Sequence, residues 1–140
     1  MEVSYTIEGG DFTRAGYASS EVKGILKQLS VDSHIIKRVV IALYEAEVNV
    51  VAHAYHGEMK VAIDPDKITI VIADSGPGIP DIPRAMEKGF STASPQVREM
   101  GFGAGMGLPN MQKNVDNLDI RSTVGQGTTV TMTTYFQSQE

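Results

Sequence analysis

The sequence contains no cysteine, which excludes disulfides and thiolate metal sites. No apolar run approaches the ~20 residues that a membrane-spanning helix needs. Met1-Glu-Val-Ser carries neither the basic n-region nor the apolar h-region of a signal peptide. Cations are in the minority and scattered. Twelve Lys and Arg stand against 17 Asp and Glu, for a net charge of −5, so the concentrated basic footprint of a nucleic-acid binder is missing. There is also no internal repeat, linker or low-complexity tract. These absences point to a cytoplasmic protein with no nucleic-acid partner and no membrane partner. What is present is 140 residues with 41% hydrophobic content, enough for one core and too little for two. One domain over 1–140 is expected.

Periodicity supplies the elements. Residues 3–7 alternate apolar and polar, as a half-buried strand does. Over 13–29, Ala15, Ala18, Val22, Ile25 and Leu29 recur at helical spacing, with Asp11 or Thr13 as N-cap. A second helix over 33–55 carries Ile36, Val39, Val40, Leu43, Val50 and Ala54 on one stripe, with His56-Gly57 as its C-terminal stop. Two strands, 59–63 and 67–73, are joined by Asp64-Pro-Asp66, too short a turn for anything but an antiparallel pair. A Gly/Pro-rich loop over 74–83, a short helix over 82–88, a helix over 109–118 and strands over 119–123 and 128–136 complete the chain. Strand, two helices, hairpin, loop, helix and hairpin make an α+β fold. The expectation is a two-layer α/β sandwich whose mixed, mostly antiparallel sheet has helices on one face.

Glycine is concentrated where the chemistry would be. Gly101-Phe-Gly-Ala-Gly-Met-Gly-Leu108 alternates glycine with other residues and runs straight into a helix. Missing Cβ atoms let backbone approach a ligand closely, and a helix start offers free N–H groups and a positive dipole end to phosphate. The loop lacks the Lys-Ser/Thr of a Walker motif and the buried parallel strand of a dinucleotide fingerprint. Two further clusters lie outside the core. Glu45 and Asn49 share a helix face, with His53 one turn further along. A carboxylate beside a carboxamide suits hard-cation coordination and base chemistry, although E-x-x-x-N alone is also the pattern of an ordinary solvated face. Asp74-Ser-Gly-Pro-Gly-Ile79 leaves an apolar strand, where Asp can accept from an exocyclic amine while Gly76 and Gly78 admit a flat ring. Alone it reads as a common Asp/Gly turn. Glu47 reads as a solvated charge and Tyr44 as core or rim.

In this order and spacing, Glu45…Asn49, Asp74-x-Gly76-x-Gly78 and Gly103-x-Gly105-x-Gly107 resemble the N, G1 and G2 boxes of the GHKL ATPase/kinase superfamily, and the deduced fold resembles its Bergerat ATP-binding fold. The resemblance covers nearly the whole chain. Glu45-Ala-Glu-Val-Asn-Val-Val-Ala-His-Ala-Tyr55 is similar to the anti-sigma-factor serine kinases. Gly89-Phe-Ser-Thr92 with Gly103-Ala-Gly-Met-Gly-Leu-Pro109 is most similar to the stressosome switch kinase and its relatives. The sporulation-type kinases carry Arg immediately before the glycines; here the nearest is Arg98.

The resemblance implies an ATP-dependent serine/threonine protein kinase of the anti-sigma regulatory type. Such an enzyme transfers the γ-phosphate to a Ser or Thr of a STAS-domain (anti-anti-sigma-like) partner. A sigma factor or a phosphatase are further implied partners, and a homodimer is implied because the relatives dimerise. The other reading is a nucleotide-switched regulatory binding module with little or no phosphotransfer. On the kinase reading Glu45 orients and deprotonates the acceptor hydroxyl, and Asn49 coordinates Mg²⁺. Asp74 reads the adenine amino group, in a pocket with Gly76, Gly78 and Ile79, and Thr128 supports Asp74. Gly103, Ala104, Gly105, Met106, Gly107 and Leu108 belong to the phosphate-binding set beneath an ATP lid over 89–106. His53 is assigned either to nucleotide binding or to packing against the helix flank.

Overall fold

The computed structural model describes residues 1–87 and 107–137. The expected lid over 89–106, and with it Gly103, Ala104, Gly105 and Met106, lies outside the described residues. Among the described residues the elements in chain order are β1 (Glu2–Glu8), a 3₁₀ turn (Phe12–Arg14), α1 (Tyr17–Gln28), α2 (Ser33–His53), β2 (His56–Ile63), β3 (Lys67–Ser75), α3 (Ile82–Ala85), α4 (Gly107–Asn114), β4 (Asn117–Thr123) and β5 (Gly127–Tyr135). The expected two-layer α+β arrangement forms.

The sheet order is β1-β2-β3-β5-β4, and each of the four pairings is antiparallel. Strict alternation decides which face is covered. Ile68, Ile70 and Ile72 of β3 and Val130 and Met132 of β5 are buried, while the residues between them are not. One pleated face is therefore apolar and takes the helices, and the other is half-wet. The ends of the hairpin are fixed by Asp64 N–H donating to the Lys67 carbonyl at 2.9 Å.

α2 is the central helix of the second layer, with α1 on one flank and α4 on the other. Its start is set by Asp32, whose carboxylate accepts from the His34 N–H at 2.9 Å, an N-cap bond. Val39, Ala42, Leu43 and Val50 on its inner face are 1% exposed or less; each fully buried Val or Leu contributes roughly 1.5–3 kcal/mol. Met59, Met111 and Met132 fill the space between helices and sheet.

Four expectations are corrected. Glu47 is not a solvated charge. It is 2% exposed and accepts the N–H groups of Gly16 (3.0 Å), Ala18 (3.1 Å) and Ser19 (3.2 Å). It thereby satisfies the free donors at the start of α1, where the dipole favours a negative charge. For the same reason neither Asp11 nor Thr13 caps that helix; Phe12–Arg14 forms a separate 3₁₀ turn and Gly16 occupies the cap position. His56-Gly57 does not stop α2, which ends at His53 with Ala54 extended, and both residues lie in β2. Gly57 is there because a Cβ would stand 2.8 Å from Val50 Cγ1, so the strand can lie flat on α2 only without a side chain. Finally, Leu118 belongs to β4 and not to the preceding helix, which ends at Asn114.

Candidate nucleotide site

α2 carries Glu45, Asn49 and His53 on successive turns, all half-buried. They lie beside the apolar stripe that takes the inner face of the helix. Glu45 lies on the flank facing α4. The contact there is direct: Asn110 Nδ2 donates to Glu45 Oε1 at 3.3 Å, and a Cβ placed on Gly107 would lie 3.5 Å from Glu45 Oε2. The last glycine of the Gly-rich stretch is thus set against the Glu45 carboxylate. Leu108, also in the expected set, is 8% exposed and packs into the core, anchoring the start of α4. Burial lowers the His53 pKa, which keeps the ring neutral near pH 7.

At its far end α2 is bound to the sheet. Tyr55 N–H donates to the Ser75 carbonyl at 2.8 Å, joining the end of α2 to the end of β3. Gly76 follows, buried against Ala54. Asp74, one residue before this junction, has Oδ1 bound to the backbone N–H of Thr128 at 3.1 Å. Among the described residues Oδ2 has no hydrogen-bond partner. Burial raises the Asp74 pKa and the Thr128 N–H draws it part of the way back.

The turn beyond Asp74 is held from β4. Ser122 Oγ accepts from the Ile79 N–H at 2.7 Å, donates to the Gly127 carbonyl at 3.1 Å and lies 2.9 Å from Thr128 Oγ1. With its own proton on Gly127, Ser122 takes the Thr128 hydroxyl proton as second acceptance, so the group is fully satisfied. Gly78 has φ +77°, and a Cβ there would stand 2.5 Å from the Thr123 carbonyl oxygen, so both backbone and space demand glycine.

The expected residues thus fall in two groups at the two ends of this stretch of α2, Glu45 with Gly107 at one and Asp74, Gly76, Ile79 and the buried Thr128 at the other. From Glu45 to Ala54 is nine residues, about 14 Å of helix axis, a length that an extended nucleoside triphosphate can span. A carboxylate acceptor with one oxygen unpartnered among the described residues stands at one end, and a carboxylate with a neighbouring carboxamide and Gly107 stands at the other. Asn110 and Ser122 were not singled out by sequence reasoning, and Glu47 was read as a solvated charge. Ser122 is register-paired with Thr128, a signal invisible until strand pairing is known. Asn110 lies three residues past Gly107, on the helix face that the glycine run announces.

Among the described residues no group of three or more His, Asp or Glu side chains could hold a metal ion, and no helix is long and apolar enough to cross a membrane. The description of the histidine kinase-like ATPase domain matches residues 11–134. The anti-sigma F factor of Thermoanaerobacter sp. (strain X514) is 36% identical over 129 residues, covering 89% of this chain and 87% of that one. The serine/threonine-protein kinase RsbT of Bacillus subtilis (strain 168) is 30% identical over 112 residues, covering 77% of this chain and 78% of that one. The RsbU and RsbW domains of a Mycobacterium tuberculosis protein share the fold, with a TM-score of 0.64 at 17% identity; 96% of this chain is covered, and it spans 32% of that one. Three motifs in the right order, the α+β fold and a match over nearly the full length agree: the chain belongs to the histidine kinase-like ATPase domain family, within the GHKL superfamily that its motifs resemble.

Proposed function

We propose that this protein is an ATP-dependent serine/threonine protein kinase of the anti-sigma regulatory type, acting in the cytoplasm on a STAS-domain partner. The observation that carries the reading is the seating of Gly107 against Glu45, which puts a base candidate beside the start of the helix that follows the Gly-rich stretch. Relatives named as an anti-sigma F factor and a serine/threonine-protein kinase support it.

Phosphoryl transfer asks the protein mainly for positioning and charge neutralisation. Asp74 Oδ2 accepts from the adenine amino group, with Gly76, Gly78 and Ile79 shaping the surface for the ring. Asn49 would hold Mg²⁺, which supplies charge neutralisation to the triphosphate. That ion usually takes few protein donors besides phosphate oxygens and water, so one carboxamide beside Glu45 is a fitting set. Glu45 orients the acceptor hydroxyl and takes its proton as the oxygen bonds to the γ-phosphorus. The bond from that phosphorus to the β–γ bridging oxygen breaks, and ADP leaves.

The test is to incubate the protein and its Glu45→Ala variant with γ-labelled Mg-ATP and STAS-domain proteins of the same genome. Label on a partner serine or threonine with wild type only, while the variant still binds Mg-ATP, is the expected result. Equal transfer by both would remove Glu45 from the chemistry. Mg-ATP binding with no transfer to any STAS domain would favour a nucleotide-switched binding module.

A further inference from the structure

We infer that Asn110 is a positioning residue for Glu45, and that α4 thereby sets the working orientation of the carboxylate. The inference rests on the proposed role of Glu45 and adds a residue that the N, G1 and G2 motifs do not contain. Three observations carry it. Asn110 Nδ2 donates to Glu45 Oε1 at 3.3 Å in a half-buried position, across the gap between two helices and 65 residues of sequence. Only the amide nitrogen can face a carboxylate there, since the flipped side chain would oppose two acceptors. Asn110 is itself tied down, because its backbone carbonyl accepts from Asn114 Nδ2 at 2.8 Å.

The consequence follows from the two oxygens of Glu45. With Oε1 engaged by Asn110, the carboxylate plane is fixed and Oε2 is left toward Gly107. A flexible glutamate has three side-chain torsions to set, and one bond from a neighbouring helix removes much of that freedom. A base held within a narrow range of orientation is worth more in the transition state than in the ground state, so its loss should appear in kcat. The same bond makes the placement of α4 part of the reacting geometry, since moving α4 moves the donor.

The test is a double-mutant cycle on turnover of γ-labelled Mg-ATP by the full chain, measured with a STAS-domain acceptor and with water. Asn110→Ala should lower kcat about tenfold, the worth of one hydrogen bond to a charged group. Its Kd for Mg-ATP should stay at the wild-type value, and turnover should be compared well below its Tm, which the lost bond lowers by a few degrees. In a Glu45→Gln background the same change should add no further loss, because the residue acts through Glu45. Asn110→Asp, nearly the same shape but with an acceptor in place of the donor, should fall at least as far as Asn110→Ala. An equal loss in both Glu45 backgrounds, weakened Mg-ATP binding, or normal turnover of Asn110→Asp would overturn the inference. Glu45→Gln turning over like wild type would bring down the function reading first, and this inference with it.

Discussion

The backbone N–H of Thr128 on β5 donates to Asp74 Oδ1 at the end of the neighbouring strand β3, at 3.1 Å. Asp74 follows Ala73, which is paired with Thr129, so this is a bond between adjacent strands at the point where their ladder ends. It fixes which carboxylate oxygen is spoken for and which remains for a ligand.

Asp74→Asn should therefore separate binding from stability. The asparagine oxygen can keep the Thr128 bond, which leaves its NH₂ facing the place where an adenine amine would donate. Donor would meet donor. Mg-ATP affinity should fall by about 10- to 100-fold, the range set by one buried unsatisfied polar group, as titration calorimetry would read. Stability should not fall with it. Burial raises the Asp74 pKa above its ordinary value of 3.8, so the folded state holds the proton more tightly than the unfolded chain. Wild-type stability then declines as pH rises from about 3.8 through the folded-state value, and levels off above it. At neutral pH the variant, which has no charge to desolvate, should melt at or above the wild-type temperature.

Glu47→Ala should be severe. It would leave the N–H groups of Gly16, Ala18 and Ser19 without their acceptor at the start of α1, at about 3 kcal/mol or more. Glu47→Gln, which keeps one acceptor oxygen, should cost less. Urea unfolding of both variants checks the order.

Ser122→Ala should loosen the turn after Asp74 by removing the acceptor of the Ile79 N–H and the partner of the Thr128 hydroxyl. A loss of about 1–2 kcal/mol of stability should come with several-fold weaker Mg-ATP binding, both readable from thermal shifts with and without nucleotide.

His56 lies between two carboxylates, with Nδ1 3.0 Å from Glu8 and Nε2 2.8 Å from Glu58. Hydrogen bonds to Glu58 first, then Glu8, raise its pKa above 6.5. The stabilisation is complete below the unfolded-chain value near 6.5 and is lost as pH rises through the higher folded value. The Tm difference between wild type and His56→Gln should accordingly be present at pH 6 and shrink on the alkaline side. An NMR titration of the ring that gave a midpoint at or below 6.5 would contradict this.

Most of the architecture could be read from periodicity, because a strand such as β3 advertises its buried face with Ile68, Ile70 and Ile72 at every second position. The motifs behind the proposed site could be read because glycine and carboxylate spacings survive without knowledge of tertiary contacts. Glu47 could not. Two residues from Glu45 on α2, it points to the other side of the helix, and its partners are backbone groups 28 to 31 residues away. A charged side chain whose acceptors are filled by backbone amides looks, in sequence, like any solvent-facing glutamate. Gly57 misled in the opposite way. Glycine after a helical run signals a stop, yet here it marks where a strand presses onto Val50.

With β2 on one side and β5 on the other, β3 has no free edge. Its amides should be among the slowest in the molecule to exchange with deuterium, while α4, eight residues long with two of them buried, should exchange early. The two ends of the surface along α2 would then differ in stiffness. On the proposed reading the end at Asp74 would be the stiffer jaw, with little entropy left to lose, and the end at Gly107, held across by the Asn110–Glu45 bond, the softer one. Discrimination of the ring would be settled before binding, and discrimination among mono-, di- and triphosphate would be settled by how much order each imposes on the soft jaw.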